Sequence, residues 1–239
     1  MLYTVREDCA RDFEGTLDAV AGIGFEGVEL FDLHGHEPRA VRGWLDRLGL
    51  GACGRHAGLD VLETRLAELA DEARAIGWRR IAVSWLDPST LEQPGLQRRL
   101  AAAADAAREL GLELGFHNHD AELRPLASGR TFFDDLPSEL FLELDLGWAW
   151  YAGVDPVALL DRARGRCPLV HVKDFRSREG RDFCPVGDGA VGYERVAPAA
   201  AEAGAEWLLV EQDETDGPAL DAVRRSYDAL TAMLERAAA

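Results

Sequence analysis

Five times in this chain an Ala- and Leu-rich stretch stops on a glycine and gives way at once to a short β-type run: "AGIGFEG", "DRLGLG", "RAIGW", "RELGLE" and "AEAGAE". A glycine there takes the left-handed conformation that closes a helix, and a spacing of roughly 30 residues is that of one βα unit. The β-type runs are 2–5 ("LYTV"), 27–31, 51–56, 80–85, 112–117, 140–145, 169–174 and 207–212. Between them, stretches such as 64–77 and 96–111 carry Leu and Ala at three- and four-residue spacing, as a helix with one buried face does. No Ser/Pro/Gly linker or shift in composition divides the 239 residues. The pattern therefore implies one α/β domain over 1–239, a (β/α)8 TIM barrel. The alternative is a doubly wound open sheet, but no GxGxxG follows the first run to cradle a dinucleotide.

Charge narrows the function. With 26 basic and 43 acidic residues the net charge is −17, and no basic stripe offers a nucleic acid a footing. No apolar stretch approaches the roughly 18 residues needed to span a bilayer, and "MLYTVREDCARDFEG" lacks the apolar core of a signal peptide. The cysteines, 9, 53, 167 and 184, form no CxxC pair. Reduced thiols in a cytoplasmic protein, with a small-molecule partner and neither membrane nor nucleic acid, are the expectation. Oligomeric state is not legible.

The six histidines are 34, 36, 56, 117, 119 and 171, and none falls on a helical stretch. In a barrel, catalytic groups sit at the C-terminal strand ends and in the loops after them. Two carboxylates share that placement, Asp145 in "FLELDLGW" and Glu211 in "LLVEQDE". Strand side chains alternate faces, so His117 with His119, Glu143 with Asp145, and His171 with Lys173 each share one. If those faces point inward, imidazoles and carboxylates from four strands converge. Converging carboxylates repel unless a cation joins them. The expected ligands are His117, Asp145, His171 and Glu211, about 2.0–2.3 Å from one divalent ion: Mn, Zn, Co, Fe or Mg. Blander readings stand beside this one: "DLG" as a turn, Lys173–Asp174 as a local ion pair, "WAWY" as core.

The motifs "GIGFEGVEL", "GLELGFHNHDAEL", "LELDLGWAWYAGVDPVALL", "LVHVKDF", "PVGDGAVGYERV" and "WLLVEQDET" resemble, in order, those of the xylose isomerase-like TIM barrels. These are the sugar phosphate isomerases/epimerases, related to inosose dehydratase and endonuclease IV, and the likeness runs from about residue 1 to 235. The resemblance implies one divalent metal held by Glu, Asp, His and Glu. The last three match Asp145, His171 and Glu211, while His117 stands where the ketose epimerases carry the first Glu. In those epimerases the first and last glutamates also move the proton. Trp148 stands where they often place a sugar-binding His.

The expected reaction is sugar or keto-sugar isomerisation or epimerisation, by proton abstraction next to a carbonyl through a metal-stabilised enediolate. Glu211 is the candidate base, with His119, His56 and Lys173 as proton partners. His56, Trp85, Trp148 and Arg176 are candidate substrate contacts, the tryptophans against a pyranose face and Arg176 as an anion clamp. Dehydration of a keto-sugar or inosose from the same enediolate is the alternative. A non-catalytic sugar- or metal-binding barrel is a further one. Endonuclease-like hydrolysis would need a fuller ligand set and a basic groove.

Overall fold

The computed structural model describes residues 1–238. Six parallel strands follow one another around a curved sheet: β1 (Gly27–Leu30), β2 (Gly51–Ala57), β3 (Arg80–Val83), β4 (Glu113–His117), β5 (Phe141–Asp145) and β6 (Leu169–Val172). A two-stranded hairpin, β7 (Asp174–Phe175) with β8 (Phe183–Cys184), interrupts the series before β9 (Trp207–Val210) pairs with β6. The major helices are α1 (Arg6–Arg11), α2 (Phe13–Ile23), α3 (Pro38–Leu48), α4 (Leu59–Ile76), α5 (Leu96–Glu109), α6 (Leu146–Tyr151), α7 (Pro156–Arg162), α8 (Tyr193–Ala203) and α9 (Ala219–Ala238). The expected α/β barrel is therefore present as a nearly closed ring of seven parallel strands. Among the described residues, no helix is long and apolar enough to cross a membrane.

The run expected as the first strand is a correction. Leu2–Val5 forms a 3-10 turn that runs directly into α1, whose first turn carries Glu7 and Asp8. Acidic residues there favour the helical start of the segment. The turn still fills the seam between β9 and β1: Leu2, Thr4 and Val5 are buried, Met1 N donates to Val210 O at 2.8 Å, and Gln212 N donates to Thr4 Oγ1 at 2.9 Å. The run 169–174 is also shorter than expected, since pairing with β9 stops at Val172 and Lys173 sits at the bend into the hairpin.

The punctuating glycines behave as expected; Gly77 ends α4 at φ 99° and Gly204 ends α8 at φ 98°. Outward-facing strand residues such as Leu114, Phe116, Leu142, Leu144, Val170 and Val172 are buried beneath the helices. The lower bore is apolar, with Cys53, Leu169 and Leu209 clustered and Phe141 and Trp207 packed on them. Gly115 makes that packing possible, because a Cβ there would lie 2.3 Å from the Phe141 ring. At the base, Arg80 is held by Glu206 at 2.6 and 2.8 Å and by Glu113 at 3.1 Å.

Candidate functional site

Above that floor the same strands end in ionisable groups. In β5 the inward positions rise from Phe141 through Glu143 to Asp145, and along β6 from Leu169 through His171 to Lys173. Asp145 leaves the strand as the N-cap of α6, with Oδ1 accepting from Trp148 N at 2.8 Å. That bond turns Oδ2 toward the bore, so "DLG" is a helix start and a site component at once. Gly147 is needed here because a Cβ would lie 2.1 Å from Lys173 O.

The "HNH" stretch divides its work in a similar way. The rings of His117 and His119 lie 5.0 Å apart at the mouth. Between them Asn118 is fully buried and ties the end of β4 to the end of β5. Its Oδ1 accepts from Asp145 N at 3.1 Å and its Nδ2 donates to Asp145 O at 3.2 Å. Glu122, one turn on, accepts from His119 N at 2.9 Å.

His117, Asp145, His171 and Glu211 come together as the sequence suggests: each offers a ligand atom, and all four atoms lie within 4.8 Å of one another. His171 Nδ1 is 2.9 Å from Glu211 Oε2, and His117 Nε2 is 4.0 Å from Asp145 Oδ2. Asp145 Oδ2 is buried and accepts no hydrogen bond, although Lys173 Nζ lies 3.1 Å away. Two imidazoles, two carboxylates and one orphaned buried oxygen fit a divalent ion of the Mn, Zn or Co kind.

Burial and charge act against each other at this mouth. Burial would lower Lys173, yet Asp145, Asp213 and Glu211 together hold it well above the usual lysine value. Its Nζ lies 2.9 Å from Glu211 Oε2 and 2.7 Å from Asp213 Oδ1. Burial would raise Glu211, but Lys173 and His171 keep it well below the usual carboxylate range. His171 moves up to about 10, its own burial outweighed by Glu143, Glu211 and Glu29. Asp145 rises to about 6 through burial, tempered by Lys173 and His171. His119 falls to about 3 through burial and the neighbouring Lys173 ammonium, and burial likewise takes His117 well down. Both rings are therefore neutral at pH 7.

A cleft of about 810 Å³ opens over the cluster, lined among others by His56, Trp85, His117, His119, Glu211 and Asp213. Trp85 stands on its rim, 54% exposed, free to meet a ligand. Trp148 is buried behind His119, with ring centroids 5.5 Å apart, and Lys173 Nζ lies 5.4 Å from its ring centre. His56 reaches down to hydrogen-bond Glu143. Arg176 is not brought to the cleft: Asp182 at 2.6 Å and Asp216 at 3.0 Å hold its guanidinium at the hairpin. Arg181 takes the place expected of it, lining the cleft with its guanidinium 5.2 Å from the Trp148 ring centre. Sequence reasoning also missed Glu29, Asn118 and Asp213. For Glu29 the signal was present, a lone acid inside the apolar run "GVEL".

Comparison with known proteins agrees with this architecture. The model of the xylose isomerase-like TIM barrel family matches residues 17–233. An inosose dehydratase of Lacticaseibacillus casei is 24% identical over 250 residues, covering 84% of this chain and 82% of that protein. A sugar phosphate isomerase/epimerase from Parabacteroides distasonis superposes with a TM-score of 0.80 at 16% identity, over 97% of this chain and 96% of that one. The structure of an L-ribulose 3-epimerase gives 0.72 at 18% identity, over 94% and 89%.

Proposed function

Since the chain belongs to the xylose isomerase-like TIM barrel family, we propose that it removes a proton from the carbon beside a carbonyl in a sugar, keto-sugar or inosose, with one divalent ion as cofactor. The observation that carries this reading is the convergence of four ligand atoms within 4.8 Å at the foot of the cleft. Held by His117, Asp145, His171 and Glu211, a divalent ion would supply Lewis-acid polarisation of the substrate's oxygens.

The remaining roles belong to side chains. Glu211 stays ionised and takes the C–H proton. The Lys173 ammonium, 2.9 Å from it, offsets the negative charge that develops on the substrate oxygen. Trp85 covers an apolar sugar face, with His56 closing the wall and Arg181 reaching a polar substituent, while Trp148 backs His119 from the core. His119, neutral and with Nδ1 free of partners, exchanges protons with hydroxyl groups. Return of the proton to the neighbouring carbon gives the isomer, and return to the opposite face of the same carbon gives the epimer.

A second reading has its own support. His117 stands where the ketose epimerases carry a second proton-moving Glu, and the other carboxylate lining the cleft, Asp213, is held by Lys173 at 2.7 Å. Loss of a β-hydroxyl as water needs only one base: Glu211 takes the C–H proton, and the same proton leaves with the hydroxyl as water, with the neutral His119 as a relay that gives up one proton as it takes another. This is dehydration, the activity by which the Lacticaseibacillus casei relative is named.

Elemental mass spectrometry of the purified protein tests the cofactor, with His171→Ala as control. One divalent ion per chain, absent from the variant, is expected. Deuterium exchange from solvent into a panel of keto-sugars and inososes is then expected only with the ion bound. An isomer or epimer supports the first reading, and an unsaturated ketone the second. A protein that stays empty after incubation with Mn, Co, Zn and Mg salts would sink both.

A further inference from the structure

Beneath the four mouth groups lies a second polar layer, Glu29 from β1 and Glu143 from β5, two carboxylates that the proposed reaction does not use, with His56 from β2 reaching down to them from the cleft wall. All three are buried, Glu29 and Glu143 completely. At this depth a (β/α)8 bore ordinarily packs branched apolar side chains, so two carboxylates here call for partners. Their partners are the inner nitrogens of the two mouth imidazoles. His171 turns Nδ1 up to Glu211 at 2.9 Å and Nε2 down to Glu29 at 2.8 Å and Glu143 at 3.4 Å. His117 turns Nε2 toward Asp145 at 4.0 Å and Nδ1 toward Glu143 at 3.1 Å, a close approach in which Nδ1 is buried and not hydrogen-bonded. Each ring therefore has one nitrogen in each layer.

We propose that Glu29 and Glu143 are positioning residues, taking the inner N–H of His171 and of His117 and so fixing which nitrogen of each ring keeps a free lone pair at the mouth. The proposal rests on reading the mouth as a metal centre. A ligating imidazole usually gives its other N–H to a carboxylate or carbonyl, which sets tautomer and ring angle. Here that shell lies on the barrel axis, below the site. His56 ties it together, hydrogen-bonded to Glu143, 3.5 Å from Glu29, and stacked on His171 at 8° with centroids 5.3 Å apart. The inner atoms of His56, His117, Glu143 and His171 also lie within 4.8 Å of one another. A second ion there, together with one at the mouth, would strip both nitrogens of each shared ring of their protons. Access also separates the layers: His117 and Glu211 line the cleft, whereas Glu29 and Glu143 are completely buried below it.

Zinc binding by chelator competition, followed by ¹⁵N-histidine NMR of the zinc-loaded protein, tests this. Wild type is expected to hold one ion per chain and to show slowly exchanging N–H protons on His171 Nε2 and His117 Nδ1. Glu29→Leu and Glu143→Leu are each expected to weaken zinc binding about 10–100-fold. Glu29→Leu should erase the His171 signal alone, and Glu143→Leu the His117 signal alone. Glu29→Gln and Glu143→Gln keep shape and an oxygen acceptor, so they give smaller losses and remain measurable if a Leu variant fails to fold. Affinity and N–H signals unchanged in the four variants would overturn the proposal while leaving the metal centre standing. So would two ions in wild type falling to one in the variants. No zinc on the wild type would overturn the metal centre and the proposal with it.

Discussion

Along β5 the inward side chains are Phe141, then Glu143, then Asp145; along β6 they are Leu169, then His171, then Lys173. Within one step of strand alternation the bore changes from apolar packing to buried charge. The lower half gains stability from dispersion and from removing apolar surface from water, with Gly115 making room for Phe141. The upper half gathers Asp145, Lys173, His171 and Glu211, all nearly or wholly buried, and must satisfy them mutually. Strand ends can carry such groups because the floor beneath them already closes the barrel. The difference teaches that stability and chemistry share strands here but not layers.

That comparison can be broken at either layer. The largest expected effect is on turnover: Glu211→Gln lowers kcat by about 10²–10⁴-fold, with far-UV circular dichroism unchanged. A variant with more than a tenth of wild-type turnover would remove Glu211 as the base. Next, Lys173→Met leaves Asp145, Glu211 and Asp213 facing one another without their ammonium. Urea unfolding of the metal-free protein should show a loss of about 3–5 kcal/mol, part of it recovered when Mn or Zn is added. Leu169→Ala in the floor should cost about 2–5 kcal/mol through cavity formation yet leave metal affinity unchanged. If that variant altered metal affinity as well, the layers would not be separate.

A smaller effect is tied to pH. Burial raises Glu122, which accepts from His119 N, to about 7, above its ordinary value of 4.5. The folded state therefore favours the protonated acid, and stability present below about pH 4.5 declines as pH rises through about 7. The loss is up to about 3 kcal/mol. Glu122→Gln should flatten that decline, as denaturant midpoints at pH 5 and pH 8 would reveal; an unchanged slope would assign it elsewhere. Smallest of all, Arg176→Ala should leave KM and kcat as they are, since its guanidinium is engaged by Asp182 and Asp216. Arg181→Ala should raise KM.

Much of the fold and of the site is legible in the sequence because it is local. A helix stopped by glycine and succeeded by a β-type run announces a βα unit from its own residues. Parity along a strand places His171 and Lys173, or Glu143 and Asp145, on one face without knowledge of any neighbour. "HNHD" and "DLG" are readable as strand-end motifs for the same reason. The run "LYTV" is not, since four residues suit a strand or a turn equally, and the choice is made by helix α1 directly after it and by the seam to be filled. Arg176 misleads because its partners, Asp182 and Asp216, lie across a hairpin and a loop.

The (β/α) repeat from the run 27–31 onward and the shared faces of His117 with His119, Glu143 with Asp145 and His171 with Lys173 follow from the amino-acid sequence, since side-chain period and helix termination are properties of neighbouring residues. Closure of the ring by a 3-10 turn, the clamp of Asn118 on Asp145, and the layer of Glu29 and Glu143 beneath the imidazoles were decided by tertiary structure alone. Each joins groups far apart in the chain, His171 and Glu29 by 142 positions. Strand stagger and barrel curvature set such distances, and no short stretch of sequence encodes either.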